Sequence, residues 1–168
     1  MKRDALHAQI GHFVLAFQAV EAAMVELTLQ VVDADSEYVA TLTTELEFNS
    51  KARALDVIYA RFAQIHGLSD QAPHAQFHEL VGRIQKLATR RNDLVHSFYQ
   101  LLFTVDGELA LLRRPTKLKP SEGLREQPDE GILPARLESE IAKMKQILKE
   151  LEEYRRSAIE AQSPDSEA

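Results

Sequence analysis

The sequence predicts an all-α protein: an up-and-down bundle of four-helix type, with a small β-hairpin and a long loop inserted before the last helix. Three observations support this fold class. Apolar residues recur at alternating steps of three and four residues through most of the chain, which is the spacing of one buried helix face. Asp106-Gly107 lies between two apolar runs, which is a strong hairpin signal. Prolines and glycines between residues 113 and 133 favour an extended loop.

Length and composition favour one domain over residues 1–162, in which 98–133 form the insertion and 163–168 form a polar tail. The 168 residues include no cysteine, which excludes disulfides and thiolate chemistry and fits a reducing compartment. The N-terminus lacks the features of a signal peptide, and no apolar run approaches the roughly 20 residues that cross a bilayer. We therefore expect a cytoplasmic protein with no membrane partner.

The first helix is predicted from about Asp4 to Val32. Its seam alternates steps of four and three residues, which is typical of a bundle helix. The seam comprises Leu6, Ile10, Phe13, Phe17, Val20, Met24, Leu27 and Val31. After a short acidic joint at 33–35, Ser36 is predicted to cap a brief helix that ends near Thr44.

Two longer helices are predicted on either side of a short loop. Asn49 or Ser50 is expected to cap the first of them, and Gly67 lies where a glycine commonly follows a helix end. The stripe of this helix is Leu55, Ile58, Phe62 and Ile65. The loop reaches Ala72, and Pro73 suits the first turn of the next helix.

Pro134 is predicted to open the last helix, which fades by about Ala161. Its apolar residues again follow steps of three and four, so one face is expected to be buried. That seam comprises Leu137, Ile141, Met144, Leu148 and Leu151.

The segment 90–99 ends the helix that begins at Pro73 and reads Arg-Arg-Asn-Asp-Leu-Val-His-Ser-Phe-Tyr. The seam that leads into it is Phe77, Leu80, Ile84, Leu87, then Arg91, then Leu94. Arg91 therefore occupies a position at which the spacing calls for an apolar residue. A charge that faces a packed interface is costly unless it is paired or hydrogen-bonded. We expect an acidic partner, a second subunit or a bound phosphate to compensate it.

Charge is unevenly distributed along an acidic chain. The net charge is −6 over residues 1–80, +5 over 81–125 and −5 over 126–168. A local basic zone on an acidic protein is a usable footprint for a phosphate backbone, and a plain solvated face is the alternative. The candidate RNA contacts in this zone are Arg83, Lys86, Arg113 and Arg114.

Arg91, Asn92 and His96 combine three chemical abilities within six residues. An imidazole moves a proton near neutral pH, a guanidinium clamps a phosphate, and an amide orients an oxygen. These match RNA cleavage by the ribose 2′-hydroxyl, which requires no metal. The sequence contains no His-Glu-x-x-His, EF-hand loop, Gly-rich phosphate loop or Gly-x-Ser-x-Gly, so we expect neither metal nor cofactor.

Arg91-Asn92-x-x-x-His96 at a helix end resembles the Arg-x(4–6)-His motif of HEPN domains (higher eukaryotes and prokaryotes nucleotide-binding). A polar residue directly after the arginine is typical of that motif. The layout is also similar: a long first helix, a helix pair, the motif, an insertion and a final helix. The resemblance covers most of the chain by architecture, and Arg91 to Ser97 by motif.

The resemblance implies a homodimer whose two motifs face each other and form one composite endoribonuclease site. His96 would act as the general acid and base, Arg91 would hold the scissile phosphate, and Asn92 would position it. Glu21 is our candidate for orienting Arg91 or His96. Arg90 also satisfies the motif spacing, but the seam points Arg91 inward, so we prefer Arg91.

Family members that are toxins carry His-x-Tyr and pair with an antitoxin that adenylylates the tyrosine. Here two residues rather than one separate His96 from Tyr99. This longer spacing argues against control by adenylylation of Tyr99. The resemblance itself implies RNA as the partner, a homodimer, and a role in defence, stress or a toxin–antitoxin system with a possible antitoxin or regulatory partner. The alternatives are a non-catalytic HEPN-like dimerisation module and an RNA- or nucleotide-binding module.

Overall fold

A computed structural model describes residues 2–32, 34–68, 73–125 and 127–163 of the chain. Five α-helices and five short β-strands lie in these ranges, so the protein is mixed α/β and the expected all-α fold class is wrong. The difference arises between residues 97 and 132, where we expected one hairpin and a loop. The structure places two small antiparallel sheets there. The predictions for residue 33, Ala72 and the tail at 164–168 lie outside the described residues.

The helices follow the predicted order closely. They are α1 Lys2–Val31, α2 Ser36–Thr44, α3 Phe48–Ile65, α4 Pro73–Val95 and α5 Pro134–Gln162. Gly67 follows the end of α3 with a positive φ of 65°, which confirms the predicted helix-ending glycine. Pro73 and Pro134 begin α4 and α5, as their fixed φ favours.

Both predicted helix caps are wrong by a few residues. Asp35, rather than Ser36, caps α2, because its Oδ1 accepts hydrogen bonds from the backbone N–H groups of residues 37 and 38. Helix α3 begins at Phe48, ahead of Asn49 and Ser50, and no side chain caps it. Adjacent capping residues compete, and local sequence does not decide between them.

The strands are β1 Ser97–Phe103, β2 Leu109–Pro115, β3 Leu118–Lys119, β4 Leu124–Arg125 and β5 Glu130–Ile132. Strands β1 and β2 pair antiparallel around Asp106-Gly107, which confirms the predicted hairpin. Gly107 supplies the positive φ that the turn requires. Strand β5 adds to β2, so the first sheet has the order β1-β2-β5, while β3 and β4 form a second sheet. The predicted extended loop at 113–133 therefore contains regular strand pairing.

The chain divides into two compact units. The first comprises the described residues of Met1–Phe17 and Thr89–Lys143, and the second those of Gln18–Ala88 and Met144–Ala168. The single domain at 1–162 stays a prediction.

Helix α1 is the most apolar element. Seven of its eight predicted seam residues are buried and Ile10 is half-buried, which confirms the seam. The stretch from Ala5 to Val31 contains no Lys, Arg or Asp, and its only two Glu residues are Glu21 and Glu26. By length and composition it therefore qualifies as a helix that could cross a membrane. The expectation that no apolar run reaches that length is therefore wrong. A core helix passes the same test, and the buried seam fits that role.

The second unit has an aromatic core. The ring of Tyr59 stacks on Phe77 with centroids 4.1 Å apart, and Tyr154 meets both rings edge-on at 5.2 and 4.8 Å. Burial, with a smaller contribution from Tyr154, raises the pKa of Tyr59 to about 12. The predicted stripe of α3 is only partly right, because Ile65 is exposed while Tyr59 is buried.

Candidate functional site

The candidate site lies where α4 ends and β1 begins, within the first unit. A helix leaves its last carbonyls without intrahelical partners, and side chains of β1 satisfy two of them here. The Ser97 hydroxyl donates to the Asp93 carbonyl at 2.5 Å, and the Tyr99 hydroxyl donates to the Leu94 carbonyl at 2.5 Å. The chain therefore turns from helix to strand without a glycine. This arrangement fixes the position of His96 between the two elements.

Tyr99 acts here as a structural donor. Burial raises its pKa to about 12, and the nearby positive charges of Arg113 and Arg90 only partly oppose this. The phenol therefore remains protonated and keeps its hydrogen bond to the helix end over the physiological range. Tyr99 was predicted as a supporting residue, and its described contact supports the backbone beside His96.

Arg113 lies in the interior of this unit and is 4 % exposed. Its Nε donates to Glu130 at 2.7 Å, and its Nη2 donates to Gln127 at 2.9 Å. Its Nη1 lies 3.3 Å from both the Asp93 carbonyl and the Ser97 hydroxyl. Arg113 was predicted as an RNA contact, but its donors hold β2, β5 and the end of α4 together. We therefore leave it out of the RNA surface proposed below.

Arg90 is held in a cluster of ion pairs, which we call the Arg90 cluster: Arg90, Arg113, Arg136, Glu130 and Glu140. Arg90 Nε donates to both carboxylate oxygens of Glu140 at 3.0 and 3.1 Å, and its Nη1 donates to Glu130 at 2.9 Å. Burial alone would raise the pKa of Glu130. The hydrogen bond from Arg90 and the surrounding guanidinium charges outweigh burial and lower that pKa. The carboxylate is therefore charged at neutral pH.

Arg91 has a different environment from its neighbour. Its Nη1 donates to Asn92 Oδ1 at 3.0 Å, and its guanidinium carbon lies 5.8 Å from the centre of the Phe17 ring, a cation–π distance. Its Nε is buried, and no described atom accepts from it. No described carboxylate of the first unit forms an ion pair with it. A half-buried guanidinium without an anion is a costly arrangement.

His96 has a fixed backbone and an exposed side chain. Its N–H donates to the Asn92 carbonyl at 3.0 Å, and its own carbonyl accepts from the Thr116 hydroxyl at 2.6 Å. Within the part of the chain that the structure describes, its ring forms no hydrogen bond or ion pair. Asn92 is also exposed, so both side chains are accessible to a ligand.

The remaining predicted residues divide between the two units. Arg114, in the first unit, forms an ion pair with Asp129 at 3.1 Å in which both side chains are about two-fifths exposed. In the second unit, Glu21 accepts from Lys51 at 2.5 Å, which is the partner that the structure gives it. The predicted role of Glu21 beside Arg91 or His96 stays a prediction.

Arg83 and Lys86 are exposed residues of α4 in the second unit. Arg83 forms an ion pair with Glu150, and Lys86 has no recorded ion pair with a described residue. Exposed ion pairs contribute little to stability, so the pairing of Arg83 leaves it available to a stronger anion.

Sequence reasoning missed the residues that support this site. Glu130 and Glu140 lie 40 and 50 residues after Arg90, and Thr116 lies 20 residues after His96. No periodicity or motif connects such positions. Phe17 was predicted as a seam residue, but its contact with Arg91 was not.

Among the described residues, no group of three or more His, Asp or Glu side chains is placed to hold a metal ion. None of the protein-family models, characterised proteins or solved structures with which the chain was compared matches it.

Proposed function

We propose that this chain is a HEPN-like, metal-independent endoribonuclease whose active form is a homodimer. In this proposal Arg91, Asn92 and His96 form the site, and no cofactor takes part. The observation that carries it is the contrast within one helical turn. Arg90 forms ion pairs with two carboxylates, although its Nη2 has no described acceptor, whereas Arg91 forms no ion pair with a described carboxylate of its unit and lies close in sequence to an exposed imidazole. A phosphodiester is the anion that this chemistry would hold.

The proposed reaction is a transesterification followed by product release. His96 accepts the proton of a ribose 2′-hydroxyl, and the 2′-oxygen forms a bond to the adjacent phosphorus. The bond from phosphorus to the 5′-oxygen breaks, and the partner's His96, in its imidazolium form, donates a proton to that leaving oxygen. Arg91 stabilises the charge that builds up on the non-bridging oxygens. The products are a 2′,3′-cyclic phosphate and a 5′-hydroxyl end.

Three properties of the residues support these roles. The ordinary pKa of histidine lies near neutrality, so one imidazole can accept a proton while another donates one. The guanidinium of Arg91 presents donors in a planar fork that matches a phosphate. The hydrogen bond from Arg91 to Asn92 orders both side chains before substrate binds, which lowers the entropic cost of assembling the site.

The test is cleavage of a fluorescently labelled single-stranded RNA by the purified full chain in EDTA, with mass spectrometry of the product ends. We expect cyclic phosphate ends, loss of cleavage in His96→Ala and Arg91→Gln, and a dimer by sedimentation in all three proteins. His12→Ala is the matched control, because His12 is an exposed histidine of the same unit and should be dispensable.

Cleavage that survives both site substitutions would refute the assignment. A wild-type protein that never cleaves, and whose dimer dissociates on Arg91→Gln, would instead identify a non-catalytic dimerisation module. RNA binding that falls steeply with salt, without turnover, would identify an RNA-binding module.

A further inference from the structure

Strands β1 and β2 present two unlike faces beside His96. Tyr99 and Arg113 are opposite each other in the register, and both pack inward. The next pair, Phe98 and Arg114, points to the other face because side chains alternate along a strand. Phe98 is 69 % exposed there. The ring of Phe98 therefore lies open to solvent on the face that also carries Arg114.

We propose that Phe98 and Arg114 form a stacking platform that binds one nucleotide of single-stranded RNA next to the phosphate that is cleaved. The inference rests on the proposed function and adds a binding subsite for the unpaired strand, which holds one nucleotide largely without base preference. Phe98 would stack on the base, and Arg114 would hold the neighbouring phosphate.

The chemistry of the pair favours a nucleic acid over an apolar partner. Every base offers a flat π-face, so an exposed ring binds unpaired bases of any identity. Directly opposed residues of an antiparallel pair have Cβ atoms about 5 Å apart, which places a cation beside the ring. Three further cations, Lys117, Lys119 and Arg125, follow within the most basic part of the chain. A polyanion complements this charge.

The ion pair of Arg114 does not block this role. Arg114 and Asp129 are 42 % and 41 % exposed, and an exposed ion pair is worth little in water. The pair uses Nε alone among the guanidinium donors, and no described residue accepts from the terminal nitrogens of Arg114, which could hold a phosphate.

The platform is close to the proposed chemistry. Phe98 follows His96 by two residues, so their Cα atoms are at most about 7 Å apart. The hydroxyl of Thr116, the residue directly after β2, donates to the His96 carbonyl at 2.6 Å. This hydrogen bond holds the end of the strand that carries Arg114 beside His96. Bases in a duplex are already stacked and cannot meet the ring, so the platform selects unpaired RNA.

The direct test uses tryptophan fluorescence. The chain contains no tryptophan, so Phe98→Trp introduces a single fluorophore at the platform. In a His96→Ala background, which removes turnover, we expect a single-stranded oligoribonucleotide to quench this fluorescence and the matching duplex to leave it unchanged. Phe103→Trp is the matched control, because Phe103 is 73 % exposed on the same strand but on the opposite face. It should show no quenching.

Affinity gives a second measurement on the same background. Phe98→Ala should weaken binding of the single strand about 5- to 100-fold, and Phe98→Tyr should restore it. Arg114→Gln should reduce the slope of log affinity against log salt by about 0.7. Equal quenching at both tryptophans, or an unchanged affinity in Phe98→Ala, would overturn the platform. A Phe98→Ala variant that loses its dimer in sedimentation would show that a second copy covers the ring, which also overturns it.

These outcomes separate the two proposals. Quenching at Phe98→Trp in a protein whose wild type never cleaves RNA would retain the platform and refute the nuclease. Cleavage by the wild type with no quenching would do the reverse.

Discussion

The last turn of α4 carries two neighbouring arginines whose environments differ sharply. In the Arg90 cluster every side chain except that of the exposed Arg136 is largely buried, and each carboxylate faces more than one cation. Arg91 forms no ion pair with a described carboxylate of its unit, and it shares this end of the helix with the exposed side chains of Asn92 and His96. Charge alone therefore does not distinguish a candidate functional arginine from a structural one. What distinguishes the two is whether the fold already supplies the anion.

The largest effect is expected at His96. His96→Ala should lower RNA cleavage by about 10²- to 10⁴-fold, since general acid–base catalysis contributes that much. The ring makes no described contact, so the free energy of unfolding should change by less than about 0.5 kcal/mol. A cleavage assay paired with urea denaturation checks both numbers. A large loss of stability would instead make His96 structural.

Arg91 is expected to follow. Arg91→Gln should lower cleavage by about 10²- to 10³-fold, because it removes the donor that stabilises developing negative charge. Arg91→Lys should recover only part of the rate, since a lysine cannot offer the bidentate fork. Single-turnover kinetics with saturating RNA measures the effect on the chemical step. Lys143→Gln, at an exposed lysine of the same unit, is the control, and an equal loss there would point to general electrostatics.

Substitution of Arg90 is expected to act mainly on the free energy of unfolding. Removing one partner of a buried ion pair lowers the free energy of unfolding by about 3–5 kcal/mol. Because the side chains here keep 16–19 % exposure, we expect Arg90→Met to lower it by about 2–3 kcal/mol. Urea denaturation monitored by circular dichroism gives the value. Arg83→Met is the matched control, since its pair with Glu150 is more exposed and should contribute under about 1 kcal/mol. Equal losses of stability in the two variants would contradict a larger structural contribution from Arg90 than from Arg83.

Glu130 gives the Arg90 cluster an acid-sensitive component. Its folded pKa lies below the ordinary 4.5, so its contribution is fully present above that pH and is lost as pH falls through the folded pKa. Glu130→Gln should therefore be less stable than wild type at neutral pH, and the gap should narrow on acidification from about pH 6 to about pH 3. Melting temperatures across that range measure the gap. A constant gap would mean that Glu130 acts through packing rather than charge.

Tyr99 should have the smallest effect. Tyr99→Phe removes one hydrogen bond to the Leu94 carbonyl and should cost about 1 kcal/mol. Because this bond holds the backbone beside His96, cleavage should also fall slightly at low temperature, where the protein stays folded. Tyr38→Phe, at a tyrosine that is 74 % exposed, is the control. Equal destabilisation in both variants would contradict the capping role.

The features of the fold and of the candidate site that depend on neighbouring residues could be predicted from the sequence. The three-four spacing locates the helices, and Asp106-Gly107 locates the hairpin, because each signal lies within a few residues. The seam also identified Arg91 as the arginine in an apolar position. In the structure it is half-buried against Phe17, and none of the described carboxylates of its unit forms an ion pair with it.

The parts that could not be predicted are long-range. Strand β5 has three residues and is placed by its pairing of Ile132 with Leu111, which lies across a stretch rich in proline and glycine. Glu130 and Glu140 come close to Arg90 only once that strand and α5 are in place. The predicted all-α fold class was therefore wrong in the one region where segments distant in sequence pair with each other.

The anchoring of His96 has a consequence for how a proton would travel. Its amide and its carbonyl are both engaged, so the main chain has little freedom to move there. Only the two side-chain torsions remain, and exposed rotamers exchange in picoseconds to nanoseconds. In the proposed reaction each imidazole could therefore sample its orientations many times within one turnover, while the backbone between α4 and β1 stays still.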